Sequence, residues 1–279
     1  MDEGTGRGGR AAGAQTADAA RVLLRAGEAL ANGSEAALAT VIETHGSTPA
    51  TVGQKLVRIA PDVAVGTVGG GPLELEALAR LDALLAEPAD AQVGGRTWTV
   101  ELEPDLGMPC GGTVVLLLER LAAPLPVVIA GTGHVGATLA HLISLAGFAV
   151  TLWDPREGFA ERALARLSNG RARAVSGELG AVLAGIPAHG ALVVATHTSD
   201  LDLECLEAGL ARGLAFVGGV GARRKHIRFD EALAARGVPE SDRARMRMPV
   251  GIDVGARTPE EIGIAIAAEL VAFRRGRLA

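Results

Sequence analysis

Several residue types are scarce or missing in this chain of 279 residues, and each shortage excludes a class of protein. There is no tyrosine and aromatic residues make up only 3%, so the core must be aliphatic. Two cysteines are too few for a disulfide framework or a four-thiolate zinc site. No apolar run reaches the ~18 residues of a membrane span, and residues 1–15 lack the apolar stretch of a secretory signal. We therefore expect a cytoplasmic protein with no membrane segment.

The chain also has no excess of positively charged residues. Lysine and arginine number 27 against 32 aspartates and glutamates, which gives a formal net charge of −5. Surfaces that bind nucleic acids are basic, so this balance argues against a nucleic-acid partner. Hydrophobic residues make up 48% of the chain and charged residues 21%, which is typical of a folded globular protein.

Glycine is the residue in excess, with 38 copies, about twice its usual ~7% share. The glycines follow no three-residue period, which excludes collagen. A preference for glycine codons does not explain why they cluster near the ends of strand-like segments, where glycine permits tight turns and close approach of a ligand. Much of the excess lies in five segments: residues 66–71, 107–112, 131–136, 218–221 and 251–255.

Hydrophobic periodicity predicts an α/β protein with two domains of different class. Residues 1–15 are predicted to be a flexible tail, and residues 16–121 to form a strand-rich α+β domain. Residues 122–126, which contain two prolines, form the predicted linker. From residue 127 to residue 279, short apolar strands alternate with helices, which predicts a Rossmann-like domain with a buried parallel sheet.

The individual elements follow from the same patterns. The predicted helices are residues 17–31, 72–85, 135–146 and 201–212, and a last helix begins at Thr258-Pro259 with Glu261 in a capping box. The predicted strands are residues 37–43, 55–60, 96–102 and 113–118 in the first domain and residues 127–130, 149–153, 191–196 and 214–217 in the second.

The first strand of the second domain runs directly into a G-x-G-x-x-G segment at residues 131–136. In dinucleotide-binding folds, Gly131 would permit the tight turn, Gly133 the approach of a pyrophosphate, and Gly136 close packing of helix on strand. The next strand ends at Asp154, near the position of a ribose-binding acid. These four residues are candidate nucleotide contacts, although Asp154 suits a turn or a helix cap equally well.

Three loops of the first domain also carry unusual residues. One follows a strand and contains His45, one places three glycines before a helix in the manner of an anion-binding nest, and one places Cys110 between proline and glycine. A thiol in such a loop is hard to bury and suits a metal ligand or a reactive thiolate. Tight turns with positive φ are the alternative. The candidate residues are Cys110, Gly111, Gly112, Gly69, Gly70, Gly71 and His45.

Three segments of the second domain leave alternatives open. His197 with Asp200 or Asp202 follows a strand and suits metal-dependent hydrolysis or proton transfer, but Asp200 or Ser199 could equally cap the next helix. Residues 218–225 join a glycine turn to a basic helix start, which favours either a bound phosphate or a solvated face. Cys205 is predicted to be a buried small hydrophobe.

The order of these motifs resembles the XdhC/CoxI family of accessory proteins for molybdenum hydroxylases such as xanthine dehydrogenase and carbon monoxide dehydrogenase. The resemblance covers the chain from about residue 36 onward. It implies a chaperone, not an enzyme, that binds the molybdenum cofactor (molybdopterin), protects it and inserts it into an apo-hydroxylase. It also implies Cys110 as a ligand of the molybdenum or its sulfur, a pterin or phosphate pocket at Gly69–Gly71 and Gly111–Gly112, and His45 and Lys55 at the rim.

Partners and an alternative function complete the expectations. The resemblance implies an apo molybdenum hydroxylase and a cofactor sulfurase as partners, and the mildly acidic, apolar chain is compatible with a homodimer. The glycine loop and Asp154 favour an NAD(P)-dependent oxidoreductase as the alternative, with NAD(P) or another nucleotide in the Rossmann-like domain. The chain offers no clear catalytic acid for hydride transfer, which weighs against that alternative.

Overall fold

The computed structural model describes residues 8–31, 33–59, 62–87, 94–167 and 172–278. The chain forms two compact units, residues 1–123 and residues 124–279. No helix within the described ranges is long and apolar enough to cross a membrane.

The first unit is an antiparallel sheet with a helix on each face. Alternate residues of its first strand point to opposite faces. Ala37, Ala39 and Val41 join one core cluster, and Ala36 and Leu38 join another. The strand order is β3-β2-β1-β5-β4. The elements are α1 (Gly8–Ala31), β1 (Ala36–His45), β2 (Lys55–Ile59), β3 (Val63–Gly66), α2 (Gly71–Ala86), β4 (Arg96–Glu101), α3 (Leu102–Leu106) and β5 (Thr113–Leu121).

Helix α2 covers the face that carries the candidate loops. Its buried residues, Leu73, Ala77, Leu81 and Leu84, recur every three or four positions and therefore form one apolar stripe. They pack into the cluster that contains Val41 of β1, and α1 packs on the opposite face. The central part of the sheet is thus buried between two helices, while β3 and β4 at its edges are largely exposed.

The second unit contains a six-stranded parallel sheet in the order β8-β7-β6-β9-β10-β11. Numbered within the unit, this order is 3-2-1-4-5-6, the doubly wound arrangement of Rossmann folds. The elements are β6 (Pro126–Ala130), α4 (His134–Leu145), β7 (Ala149–Trp153), α5 (Phe159–Leu164), β8 (Ala172–Val175), α6 (Leu179–Ala184), β9 (Ala191–Val194), α7 (Ser199–Ala211), β10 (Phe216–Gly219), α8 (Arg223–Ala235), α9 (Glu240–Arg243), β11 (Met246–Arg247) and α10 (Pro259–Arg274).

Both faces of the parallel sheet are buried, as the unbroken apolar strands predict. Val128 and Val194 pack into one cluster with residues of α7, while Ile129 and Val193 pack into another with residues of α4 and α10. The last helix begins with the expected capping box, in which the Thr258 hydroxyl accepts from the Glu261 N–H. The predicted α+β and Rossmann-like classes are both confirmed.

The boundaries differ from the sequence expectation in several places. Residues 1–7 of the predicted flexible tail lie outside the described residues, and residues 8–15 belong to α1, which begins before the predicted residue 17. Alanine-rich segments have high helix propensity, which accounts for the earlier start. Residue 126, the last of the predicted linker, is the first residue of β6, and β10 begins two residues later than predicted.

Candidate functional site

The pairing of β1 with β5 brings two of the candidate loops together. After a bulge between Val41 and Glu43, His45 at the end of β1 pairs with Thr113 at the start of β5. A Cβ placed on Gly112 would lie 2.6 Å from the carbonyl oxygen of His45 and 2.5 Å from that of Ser47. Real Cβ atoms essentially never come within 3.0 Å of a non-bonded heavy atom. Only glycine permits this approach of the two loops.

The glycine-rich loop before α2 joins the same group. Gly69 has a φ of +126°, and a Cβ there would lie 3.2 Å from the backbone nitrogen of Ala50. Ala50 follows the loop that contacts Gly112, and Ala50, Val68 and Met108 belong to one core cluster. The three loops that the sequence singled out therefore lie together at one end of the antiparallel sheet; we call them the loop cluster (residues 45–50, 66–71 and 107–112).

Cys110 lies in this loop cluster as a free, partly buried thiol. Two hydrogen bonds shape its turn: Met108 N–H donates to the carbonyl of Leu102 at 2.9 Å, and Gly111 N–H donates to that of Met108 at 3.5 Å. Cys110 packs against the core cluster that includes Met108 and Leu102. The packing holds the thiol in place while leaving part of it accessible.

His45 and Lys55 lie near the loop cluster, and each already has a neighbour. The His45 side chain is 63% exposed, and its Nε2 lies 2.8 Å from Oε1 of Glu43. The ammonium of Lys55 donates to the Thr40 hydroxyl at 3.0 Å. Their predicted role at the rim of a pocket stays a prediction.

The start of α2 has the form of an anion-binding nest. Gly69, Gly70 and Gly71 all have positive φ, and Gly70 caps the helix without a side-chain hydrogen bond. The first N–H groups of a helix lack partners within the helix and can bind a ligand. Pro72 has no N–H and the Gly69 N–H donates to the Thr67 hydroxyl at 3.2 Å, which leaves the N–H groups of Gly70 and Gly71. One carboxylate lies nearby: Glu74, in the first turn, accepts a 2.5 Å hydrogen bond from the Thr67 hydroxyl.

Within the described ranges, no three His, Cys, Asp or Glu side chains come close enough to hold a metal ion. In that part of the chain, Cys110 therefore does not belong to a closed cage of such side chains. The hydrolytic alternative also loses its proposed ligands, since His197, Asp200 and Asp202 do not form such a cluster.

Asp202 instead has a structural role. Its Oδ1 accepts from the N–H of Thr196 at 2.8 Å and from the Thr196 hydroxyl at 2.6 Å, and Oδ2 pairs with Lys225. This carboxylate neutralises a cation at the start of α8, the position for which the sequence left a bound phosphate open. Thr198, rather than Ser199 or Asp200, caps α7 by accepting from Leu201 N–H at 3.3 Å.

The glycine loop of the second unit has the geometry that its spacing predicts. Gly131 lies against the backbone of Ala195, and a Cβ on Gly136 would collide with the carbonyl oxygen of Gly131. Gly133 caps α4 with a φ of −67° and has no atom within 4 Å of its Cβ position. Gly131 and Gly136 are therefore required for packing, while the space beside Gly133 is open.

This contrast gives a matched pair of substitutions. We expect Gly136→Ala to lower the free energy of unfolding by about 2–4 kcal/mol, because the new methyl group meets backbone that cannot move aside. Gly133→Val should lower it by no more than about 1 kcal/mol, because the new side chain meets no other atom and valine is only a poorer N-cap than glycine. Urea unfolding of the two variants tests this. Equal losses of stability would show that Gly133 is required for packing, as Gly136 is.

Asp154 lies at the end of β7, where the ribose-binding acid is predicted, but its side chain is fully buried. Its carboxylate accepts from the N–H of Thr132 at 2.8 Å and from Nε and Nη2 of Arg156, both at 2.8 Å. Burial alone would raise the pKa of Asp154; the hydrogen bonds from Arg156 and Thr132 outweigh burial and lower it from 3.8 to about 2. The sequence analysis did not predict that Arg156 pairs with Asp154. Its position only two residues after Asp154 could have indicated this pairing.

The low pKa of Asp154 predicts a pH-dependent contribution to stability. Because the carboxylate binds protons less readily in the folded chain, its contribution of about 2 kcal/mol is complete above pH ~4 and disappears as the pH falls toward 2. We expect Asp154→Asn to lose this amount at pH 7, with a smaller difference from the unsubstituted chain at pH 3. A difference that stays constant between these pH values, measured by urea unfolding, would show that the charge is not responsible.

Cys205 lies in α7 and is only 1% exposed, as predicted for a packed cysteine. Burial, together with the nearby charges of Asp202 and Glu204, raises the pKa of its thiol to about 12. The thiol is therefore protonated at neutral pH and is unsuited to bind a metal.

Comparison with known sequences decides the family. The sequence model of the XdhC Rossmann domain matches residues 127–270, and that of the XdhC and CoxI family matches residues 29–93. The chain belongs to the XdhC and CoxI family. The resemblance inferred from the motifs is thereby confirmed. The matched residues include the glycine loop at residues 131–136 and the anion-binding nest at residues 69–71.

Three relatives extend the comparison. YqeB of Escherichia coli (strain K12) is 30% identical over 84% of this chain and 43% of its own length. A probable subunit of xanthine dehydrogenase from Bacillus subtilis (strain 168) is 25% identical over 58% of this chain and 47% of its own length. The molybdenum cofactor insertion chaperone PaoD of Escherichia coli (strain K12) is 24% identical over 91% of this chain and 88% of its own length. The chain thus spans less than half of two of these relatives.

Proposed function

We propose that this chain binds the molybdenum cofactor at the loop cluster and inserts it into a molybdenum hydroxylase. Membership of the XdhC and CoxI family, with relatives described as a probable component of xanthine dehydrogenase and as a cofactor insertion chaperone, supports an accessory role with such enzymes. The observation that carries the finer proposal is the contact of both glycine loops with residues 45–50, Gly112 against Ser47 and Gly69 against Ala50, beside the partly buried Cys110.

The proposed site suits a labile metal centre that must later be released. Thiolate is a soft ligand and suits a metal centre that already carries sulfur ligands better than carboxylate or hydroxyl groups do. Cys110 supplies one such ligand, and the described residues contain no cluster that would close a cage around the metal. A single protein ligand allows binding that is reversible, as transfer to another protein requires.

The phosphate of molybdopterin has a suitable partner in the start of α2. Backbone N–H groups at Gly70 and Gly71, together with the positive end of the helix dipole, favour an anion there. Gly69 contacts Ala50 and Gly112 contacts Ser47, so residues 45–50 join this nest to the loop of Cys110. In this proposal, Gly111 and Gly112 border the pterin, and His45 and Lys55 lie at the rim.

The proposed role needs no turnover by this chain, and the NAD(P)-dependent oxidoreductase alternative is not favoured by the family assignment. The hydroxylase is the partner that the proposal requires. A cofactor sulfurase and a homodimer stay predictions from the sequence.

Reconstitution of an apo molybdenum hydroxylase tests the insertion role. The apoenzyme is incubated with released cofactor, with and without the purified full chain, and hydroxylase activity is followed over time. We expect a higher yield of active enzyme when the chain is present, because bound cofactor is shielded from loss in solution. The same yield in both samples, with no cofactor retained by the chain, would refute the proposal.

A further inference from the structure

A positively charged cavity lies beside the glycine loop of the second unit, and the proposed molybdenum cofactor site does not include it. The cavity has a volume of about 640 Å³ and is bordered by the first turns of α4 and by α5. In a chain of net charge −5, this local excess of positive charge favours an anionic ligand. The ionised side chains in its wall are Arg156, Arg162, Arg166 and Glu260.

One end of the cavity is formed by the start of α4. Gly133 and His134 line it, and Gly133 caps this helix of twelve residues without a side-chain hydrogen bond. The free N–H groups of the first turn and the positive end of the helix dipole suit a pyrophosphate. Gly133 also carries no side chain that would hinder its approach.

Arg156 is held rigidly at another part of the wall. Its Nε and Nη2 donate to the buried carboxylate of Asp154, and its guanidinium carbon lies 3.7 Å from the ring centre of Phe159. These contacts use two of its five N–H groups, so the rest remain for a ligand. The Asp154 carboxylate itself is completely covered and therefore does not reach the hydroxyl groups of a ribose.

Two further arginines, Arg162 and Arg166, add positive charge to the cavity wall. The guanidinium carbon of Arg162 lies 4.4 Å from the centre of the Phe159 ring, which Arg156 also contacts. Among the ion pairs of the described residues, none involves Arg162 or Arg166. Guanidinium groups bind phosphate through paired, charge-assisted hydrogen bonds, so this cluster suits a second phosphate.

We propose that the cavity binds a nucleotide that carries an additional phosphate on its ribose as well as a pyrophosphate. NADP and coenzyme A both have this chemistry. The pyrophosphate binds at the start of α4, the ribose phosphate binds at Arg156 and Arg162, and Asp154 acts as a positioning residue that orients Arg156. This site is independent of the proposed molybdenum cofactor site, which lies in the other unit.

Isothermal titration calorimetry of the full chain with matched pairs of ligands tests the proposal. NADPH is compared with NADH, and coenzyme A with dephospho-coenzyme A; the members of each pair differ by one ribose phosphate. We expect at least one phosphorylated member to bind about tenfold tighter than its counterpart. The pair in which the phosphorylated ligand binds more tightly shows whether the natural ligand is NADP or coenzyme A. Equal affinities within both pairs, or no binding of any ligand at millimolar concentration, would overturn the proposal.

Substitutions then assign the preference to the arginines. Arg162→Gln removes an exposed cation and should leave the fold intact. It should reduce the roughly tenfold preference for the phosphorylated ligand to about twofold or less. The affinity for the unphosphorylated ligand should not change. Arg224→Gln, which removes an exposed cation of the same unit outside the cavity, is the matched control and should keep the full preference. A preference that survives Arg162→Gln would also overturn the proposal.

Discussion

Replacement of Cys110 by alanine should abolish most of the retention of molybdenum cofactor while leaving the fold intact. The substitution removes one sulfur atom from a partly buried position, so the free energy of unfolding should fall by no more than about 1 kcal/mol. Loss of the proposed soft ligand should weaken cofactor binding at least about tenfold. Equilibrium binding of released cofactor, with molybdenum quantified in the protein fraction, measures this effect.

The second cysteine provides the control for this experiment. Cys205 is buried and its raised pKa of about 12 keeps its thiol protonated, so Cys205→Ala should bind cofactor as the unsubstituted chain does. We expect this variant to lose about 1 kcal/mol of stability instead, because it leaves a small cavity in the core around α7. If Cys110→Ala bound cofactor as well as Cys205→Ala, the ligand role of Cys110 would be wrong.

Gly112→Ala should have the second large effect, on stability and on binding together. Its new Cβ would lie 2.5 Å from the carbonyl oxygen of Ser47 and 2.6 Å from that of His45, so the two loops would have to separate. We expect a loss of about 2–4 kcal/mol in the free energy of unfolding, measured with urea, and a matching loss of cofactor retention.

Gly27→Ala is the corresponding control in the first unit. Gly27 lies within α1 and has no atom within 4 Å of its Cβ position, so alanine should stabilise the helix by up to about 1 kcal/mol. Cofactor binding should not change. A Gly112→Ala chain with unchanged stability and full binding would show that close approach of the loops is not required.

Local features of the fold could be predicted because they depend on neighbouring residues. The apolar stripe of α2, the capping box at Thr258 and the burial of Cys205 all follow from spacing within one element. Several short elements were missed, among them β3 with four residues and α3 with five, because such segments are too short to show a hydrophobic period. The equally short β9 was predicted because all of its residues are apolar. Their positions depend on contacts with the rest of the sheet.

The candidate site was predicted residue by residue, but its assembly was not. The contact between Gly112 and Ser47 depends on the register of β1 with β5, which the sequence does not specify. The same limit applies to Asp154: its position was predicted, but its burial beneath Arg156 depends on side-chain packing. Sequence patterns indicated which residues are unusual, and the structure showed which of them lie together.

Equilibrium binding of the molybdenum cofactor to the purified full chain tests the central proposal most directly. Released cofactor is added in increasing amounts, and molybdenum and pterin retained with the protein are measured by mass spectrometry. We expect saturable retention of both, near one cofactor per chain, and its loss in Cys110→Ala but not in Cys205→Ala. No saturable retention by the unsubstituted chain would contradict the proposed function.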